Sequence, residues 1–179
     1  MIKNKVGLIG GGNMARAIAG GLLRGGMHAT YLFVSEPRPA QCEMLRKELY
    51  GAMVTEDNAS VADRAEVLLF AVKPQILKTV CMELAGIVRR NRPLIMSIAA
   101  GPRLDDIDEW LGGGNCVVRV MPNQPALIDQ GISAMIANAR AKAKKSTSCS
   151  ARGSIRKLIC SRSKVIRWAG WTALYWITT

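Results

Sequence analysis

The stretch KVGLI (5–9) runs straight into three glycines, Gly10 to Gly12, and the chain then takes up a helical rhythm. Apolar, β-branched text that ends in glycine reads as a buried strand. Beyond it Met14, Ala17, Ile18, Gly21 and Leu22 recur at the spacing of one helix face. The pattern Gly10-x-Gly12-x-x-Ala15 thus sits between a strand and a helix, the context in which such glycines have a mechanical reading. The first permits a tight turn. The second, without a Cβ, lets the backbone approach a pyrophosphate, and a small residue at position 15 lets helix and strand pack closely. Free N–H groups at the helix start then face the anion. The bland alternative is a glycine turn that holds nothing; its place after the first strand favours a dinucleotide.

The alternation continues. TYLFV (30–34) reads as a second strand, and 39–49 as a helix with Cys42, Leu45 and Leu49 on one face. Then come a strand at 52–54, a helix near 58–64, the apolar run VLLFAV (67–72) and a helix over 75–88. Pro74 suits the start of that last helix, where a missing N–H costs nothing. Strands at 94–99, 116–120 and 131–137, with a helix near 103–111, complete the series. Strands alternating with helices of about ten residues predict an α/β domain with a doubly wound, mostly parallel, Rossmann-like sheet covered on both faces.

Charge divides the chain. Residues 1–137 hold 15 basic and 13 acidic residues, a balance of +2, whereas 138–179 hold 10 basic residues and no acid. Three of the four tryptophans, Trp168, Trp171 and Trp176, also fall in the second part. A compositional seam therefore lies near 137–142, and the expected organisation is a dinucleotide-binding domain over 1–138 and a basic, irregular tail over 139–179. The five cysteines (Cys42, Cys81, Cys116, Cys149, Cys160) are scattered and include no C-x-x-C pair, which argues against a disulfide framework or a zinc site. No metal site is expected. Three glycines and an arginine make a poor apolar core for a signal peptide. The longest run without Asp, Glu, Lys or Arg is the last 12 residues, short of the roughly 20 that a membrane-spanning helix needs. A reducing cytoplasm is the expected setting.

The end of the second strand is where a cofactor's adenosine ribose is read. An acid there favours NAD, and small polar or basic residues favour the 2′-phosphate of NADP. The text is VSEPRPAQ. Glu36 stands near the spacing of an NAD-selecting acid, while Ser35 and Arg38 suit a phosphate, the arginine through charge-assisted hydrogen bonds. A solvated turn with Arg38 merely exposed is the remaining reading. The balance favours NADP.

Taken together, LIGGGNMARAI (8–18), DN (57–58), LLFAVKPQ (68–75), SIAAG (97–101) and VRVMPNQPA (118–126) resemble, in order and rough spacing, pyrroline-5-carboxylate reductase. The resemblance covers roughly residues 3–138. It implies NADPH- or NADH-dependent reduction of the cyclic imine Δ1-pyrroline-5-carboxylate to L-proline, in proline biosynthesis. It places Gly10, Gly12, Asn13 and Met14 at the pyrophosphate, Ser35 and Arg38 near the 2′-phosphate, and Asn58 near the adenosine half. Ala71, Val72, Lys73 and Pro74 are implied beside the nicotinamide ribose, and Ala99, Ala100, Gly101, Pro122 and Asn123 along the nicotinamide and imine side. Lys73, at the end of an apolar strand, either neutralises a phosphate or carboxylate or simply reaches solvent. Hydride transfer asks the protein for positioning and electrostatics. No catalytic acid, base or nucleophile is assigned, and His28 reads as a surface residue. Where the family usually has Thr after the MPN asparagine, this chain has Gln124.

Beyond residue 140 the resemblance stops. The family continues into a helical domain, opened by an SGSGPA stretch, that supplies most of a homodimer interface, the partner's helices completing the imine-carboxylate pocket; 142–179 carry no such text. The resemblance therefore implies a truncated enzyme of impaired activity. Three readings of 142–179 stand: translation out of frame, a basic arm that binds nucleic acid by phosphate contact and Trp stacking, and a membrane-surface segment. The first is favoured, because the basic part precedes the Trp-rich part and no helical apolar face emerges. It implies SGSGPA-like and acidic text in another frame of the same DNA. The alternative to an enzyme is a dinucleotide-binding module without catalysis.

Overall fold

In the computed structural model, residues 4–122, 132–143, 163–167 and 174–178 are described. The first strand, β1 (Val6–Ile9), is buried along its length and passes through the glycines into α1 (Asn13–Arg24). There follow β2 (Leu32–Ser35), α2 (Pro39–Glu48), β3 (Met53–Thr55), α3 (Asn58–Arg64), β4 (Val67–Phe70), α4 (Pro74–Asn91) and β5 (Leu94–Ser97). After these come α5 (Leu104–Trp110), β6 (Cys116–Pro122), β7 (Ile132–Ala137) and α6 (Ala139–Ala143). Each strand and helix expected from periodicity up to residue 137 is present. The second strand starts late because Ala29–Tyr31 form a 3-10 turn, in which the Tyr31 amide donates to the His28 carbonyl at 3.0 Å. Helix α4 outlasts its expected end by one turn. It stops where Arg92 takes a left-handed φ of 51° and its amide caps the Val88 carbonyl at 2.8 Å.

The sheet has the strand order β3-β2-β1-β4-β5-β6-β7-β9-β8, with β8 (Ser163–Arg167) and β9 (Leu174–Thr178) at its far edge. Strands β1 to β6 run parallel, and β7, β9 and β8 are added antiparallel. The two outermost strands come from the stretch that the sequence reading left irregular. That reading looked for a helical face, but SKVIR and LYWIT are short runs rich in β-formers. They pair beyond β7 on what is otherwise an open sheet edge.

Each face of the sheet has its own core. Leu8, Leu32, Val34, Leu69 and Met96 pack with Ala15, Ala19 and Leu22 of α1 and with Cys42 and Leu45 of α2. On the other face Ile9, Leu68, Phe70 and Ile95 pack with Val61 of α3, with Leu77, Cys81, Leu84 and Val88 of α4, and with Ile107 of α5. Burial of the Cys81 thiol pushes its pKa up to about 12, so it stays protonated. At the end of β7, Asn138 clips the chain back to the sheet. Its Oδ1 accepts from Val117 N at 3.3 Å and from Ala141 N at 2.9 Å, and its Nδ2 donates to Asn115 O at 3.0 Å.

Helix α3 shows how local text sets an element that carries the site. Asp57 is its N-cap, with carboxylate oxygens accepting from Ala59 N at 2.9 Å and Ser60 N at 3.1 Å. Asp57→Ala should cost about 1 kcal/mol, the usual worth of such a cap. The measurement is a urea melt, where the midpoint should fall at unchanged m-value.

Candidate functional site

The last residues of four strands lie in one row: Ser35, Ile9, Phe70 and Ser97 are register partners across β2, β1, β4 and β5. Between β1 and β4 the strand order reverses direction, since β1 is followed by β2 on one side and β4 lies on the other. Open α/β sheets bind ligands in the crevice outside the strand ends at this point. The glycine turn occupies it.

The three glycines differ in what constrains them. Gly10 has φ +99°, and a Cβ there would meet the Ala71 carbonyl oxygen at 2.8 Å. Its amide donates to Ser35 O at 2.9 Å. Gly11 is walled in by Leu45 and Glu36 side chains. Gly12 is different: it is the N-cap of α1, and a Cβ on it would meet nothing within 4 Å. No side chain caps α1 and its first turn holds no acid. The start of α1 is thus an open, uncapped helix N-terminus, the arrangement that suits a phosphate group. Asn13 is exposed and Met14 half-buried beside it.

At the end of β2 the side chains are arranged otherwise than the sequence reading expects. Ser35 is fully buried, and its hydroxyl donates to Asn58 Oδ1 at 2.7 Å, with Leu8 O at 3.4 Å. It is turned inward, and Asn58 serves as its partner. Glu36, 4% exposed, faces the glycines instead. Its Oε2 accepts from Gly11 N at 3.0 Å, and its Oε1 accepts from Arg38 Nε at 2.7 Å and Arg38 N at 3.3 Å. Burial pushes the Glu36 carboxyl up, but the Arg38 side chain and the two backbone amides outweigh it and leave the group below its ordinary value. Arg38 itself is exposed apart from this pairing. Gln41 Nε2 completes the clasp by donating to Gly11 O at 3.1 Å.

On the other side of the reversal, Ala71 and Val72 are half-buried after β4, with the Ala71 amide donating to Ile9 O at 2.8 Å. Lys73 is exposed at the N-cap of α4, followed by exposed Pro74. After β5, Ala99 is buried with its amide on Ser97 Oγ at 3.2 Å, and Ala100 and Gly101 are exposed. Pro122 ends β6, half-buried. Asn123 and Gln124 lie outside the described residues. His28 is exposed and away from this rim, bonded to Thr30 Oγ1 at 2.8 Å. Among the described residues no three His, Cys, Asp or Glu side chains group as a metal site, and no helix is long and apolar enough to cross a membrane.

Residues 5–101, more than half of the chain, match the family model described as NADP oxidoreductase, coenzyme F420-dependent. Pyrroline-5-carboxylate reductase of Pseudomonas aeruginosa is 40% identical over 139 residues, which are 78% of this chain and 50% of that protein. The chain belongs to the pyrroline-5-carboxylate reductase family. A solved pyrroline-5-carboxylate reductase from Coxiella burnetii superposes with a TM-score of 0.79 at 30% identity, covering 87% of this chain and 55% of that one. The Plasmodium falciparum enzyme, solved with NADP bound, shares the fold at a TM-score of 0.71 and 23% identity, covering 89% and 55%. The chain spans about half the length of the relatives it matches. What it shares with pyrroline-5-carboxylate reductases is the N-terminal, NAD(P)-binding oxidoreductase domain.

The pyrroline-5-carboxylate reductase motifs LIGGGNMARAI, LLFAVKPQ and SIAAG all run from a strand out over this rim. The glycines, the residues after β4 and the loop after β5, singled out in the sequence, all lie along this rim. Ser35, expected near a 2′-phosphate, is buried with its hydroxyl on Asn58, and the clasp of Gly11, Glu36 and Gln41 was not expected. The signal for the clasp was Glu36 itself, the lone acid at the end of β2.

Two outcomes follow from the glycine geometry. Gly10→Ala should fail to give soluble folded protein, or lower Tm sharply, through the collision with Ala71. Gly12→Ser should hold or slightly raise Tm, since serine is the better N-cap, yet weaken dinucleotide binding at least about tenfold by filling the approach to the helix start. Circular dichroism melts and cofactor fluorescence titrations separate the two effects. A third concerns Glu36. Because its folded pKa is depressed, its contribution is present above its unfolded pKa and lost as pH falls through the folded value. Glu36→Gln should therefore flatten the acid limb of the stability–pH curve measured by urea melts.

Proposed function

We propose that this chain is the cofactor-binding half of an NAD(P)H-dependent imine reductase acting on Δ1-pyrroline-5-carboxylate, with NADPH as the preferred reductant. The observation that carries the reading is the open N-terminus of α1 at the strand-order reversal, with a glycine whose missing Cβ leaves the approach clear. When bound, the cofactor supplies the hydride for the imine carbon. The residues of this chain bind and orient. Amides at the start of α1, around Gly12, Asn13 and Met14, would receive the pyrophosphate. Arg38 would turn to a 2′-phosphate, with Asn58 behind it. Ala71, Val72, Lys73 and Pro74 would line the nicotinamide ribose. Ala99, Ala100, Gly101 and Pro122, with Asn123 beyond the described residues, would flank the ring. Small residues there let the ring and imine approach closely, which is the positioning that hydride transfer requires.

The domain assignment is part of the proposal: residues 1–138 form the cofactor domain, supported by the Asn138 clip to β6 that closes the parallel sheet. In the family reading a second, helical domain and a second copy of the chain complete the imine pocket. A second reading, a dinucleotide-binding module without turnover, rests on the same open N-terminus of α1, which asks for a phosphate and for no further substrate.

The test is NADPH oxidation by the purified protein with Δ1-pyrroline-5-carboxylate, with cofactor binding followed separately by fluorescence. Turnover establishes the reductase. Tight NADPH binding without turnover selects the module. Loss of binding to both NADPH and NADH overturns both. Since Glu36 both occupies Arg38 and would face a 2′-phosphate with like charge, Glu36→Gln should raise the NADPH-over-NADH affinity ratio by about tenfold, an effect of about 1.4 kcal/mol.

A further inference from the structure

The peptide units of the glycine turn, from Ile9 to Asn13, are held by two kinds of partner. The outer units are held by backbone. Ile9 O accepts from Ala71 N at 2.8 Å, Gly10 N donates to Ser35 O at 2.9 Å, and Gly12 O accepts from Arg16 N at 3.0 Å. The units between them meet side chains instead. Gly11 N donates to Glu36 Oε2 at 3.0 Å, and Gly11 O accepts from Gln41 Nε2 at 3.1 Å. A carbonyl only accepts, so the nitrogen end of the Gln41 amide is the end that must face it.

Of these units, Gly11–Gly12 is the one that turns over most easily. A half-turn of a peptide plane changes ψ of the residue before it and φ of the residue after it. Gly12 has φ −68°; a flip would take it to positive φ, which costs glycine little and other residues much. Among the described residues a Cβ on Gly12 would meet open space, so little crowds the motion. Direction matters here, because the C=O and N–H of a trans peptide point opposite ways, and every described peptide is trans. With its carbonyl turned to Gln41, the unit presents the Gly12 N–H on the other side. Flipped, it would set a carbonyl oxygen at the start of α1, beside the donors that an anion needs.

The fold holds Gln41 in place for this contact. It stands in the first turn of α2, next to Cys42, which is fully buried and whose thiol donates to Glu36 O at 2.9 Å. That one contact ties the helix that carries Gln41 to the strand end that carries Glu36.

We propose that Gln41 is a positioning residue for the diphosphate of the cofactor: it holds the Gly11 carbonyl toward α2 and so keeps the start of α1 lined by N–H groups alone. It acts through Gly11 and touches no ligand. The inference rests on the dinucleotide reading above and names the side chain that keeps its anion site in one state.

The test compares the full chain with its Gln41→Met variant, which keeps the length of the side chain and removes its donor. Three probes are titrated by NMR: NADPH, ADP, which carries a diphosphate without the nicotinamide half, and adenosine, which carries no phosphate. Gln41→Met should bind NADPH and ADP about five- to tenfold more weakly, the worth of one hydrogen bond, and adenosine as wild type does. Tm should stay near wild type. The Gly11 and Gly12 amide signals should be single and sharp in wild type, and broadened or doubled in Gln41→Met. An unchanged ADP affinity, an equal loss for ADP and adenosine, or variant Gly11 and Gly12 signals as sharp as those of wild type overturns the inference. If wild type binds neither NADPH nor NADH yet still binds ADP, the dinucleotide reading falls and the ADP comparison judges Gln41. If ADP does not bind either, both fall.

Discussion

The turn at Gly10 is the constraint on which the rest of this structure depends. β1 is the central strand, flanked by β2 and β4, and its exit must pass under the Ala71 carbonyl while still donating its amide to Ser35. Only a residue without a Cβ, at positive φ, fits that gap. Through it the end of β1, the first turn of α1 and the strand end after β4 meet at one point. If the turn were wider, α1 would lift from the sheet, and Ala15, Ala19 and Leu22 would leave the core they share with Leu8 and Val34.

Once the turn is set, charge decides what the rim can hold. The uncapped start of α1, exposed Lys73 and paired Arg38 all present positive charge or donors along one edge. Glu36 is the buried acid among them, and it is already satisfied by Gly11 and Arg38. That arrangement suits an elongated ligand with anionic groups at its centre and ends. It also makes Glu36 a structural brace for the glycine turn.

The sequence was most legible where one residue type has one physical use. A glycine at a tight turn, apolar runs of strand length and Pro74 at a helix start announced themselves in the text. Less legible was anything that turned on side-chain direction. Ser35 and Glu36 are adjacent, so strand alternation sends one into the sheet and the other to the glycines, and nothing in VSEPR says which. The short strands at 163–167 and 174–178 escaped because a search for a helical face cannot see a period of two.

By itself the sequence determined the class of domain, the order of its elements and the presence of a dinucleotide turn, because these follow from local periodicity and from the steric limits of single residues. The tertiary structure alone decided the strand order, the inward turn of Ser35 and the clasp of Glu36 on Gly11. Those depend on which strands lie side by side and at what register, and contacts such as Ser35–Asn58 and Gly11–Glu36, 23 and 25 positions apart, leave no mark on the spacing of the text.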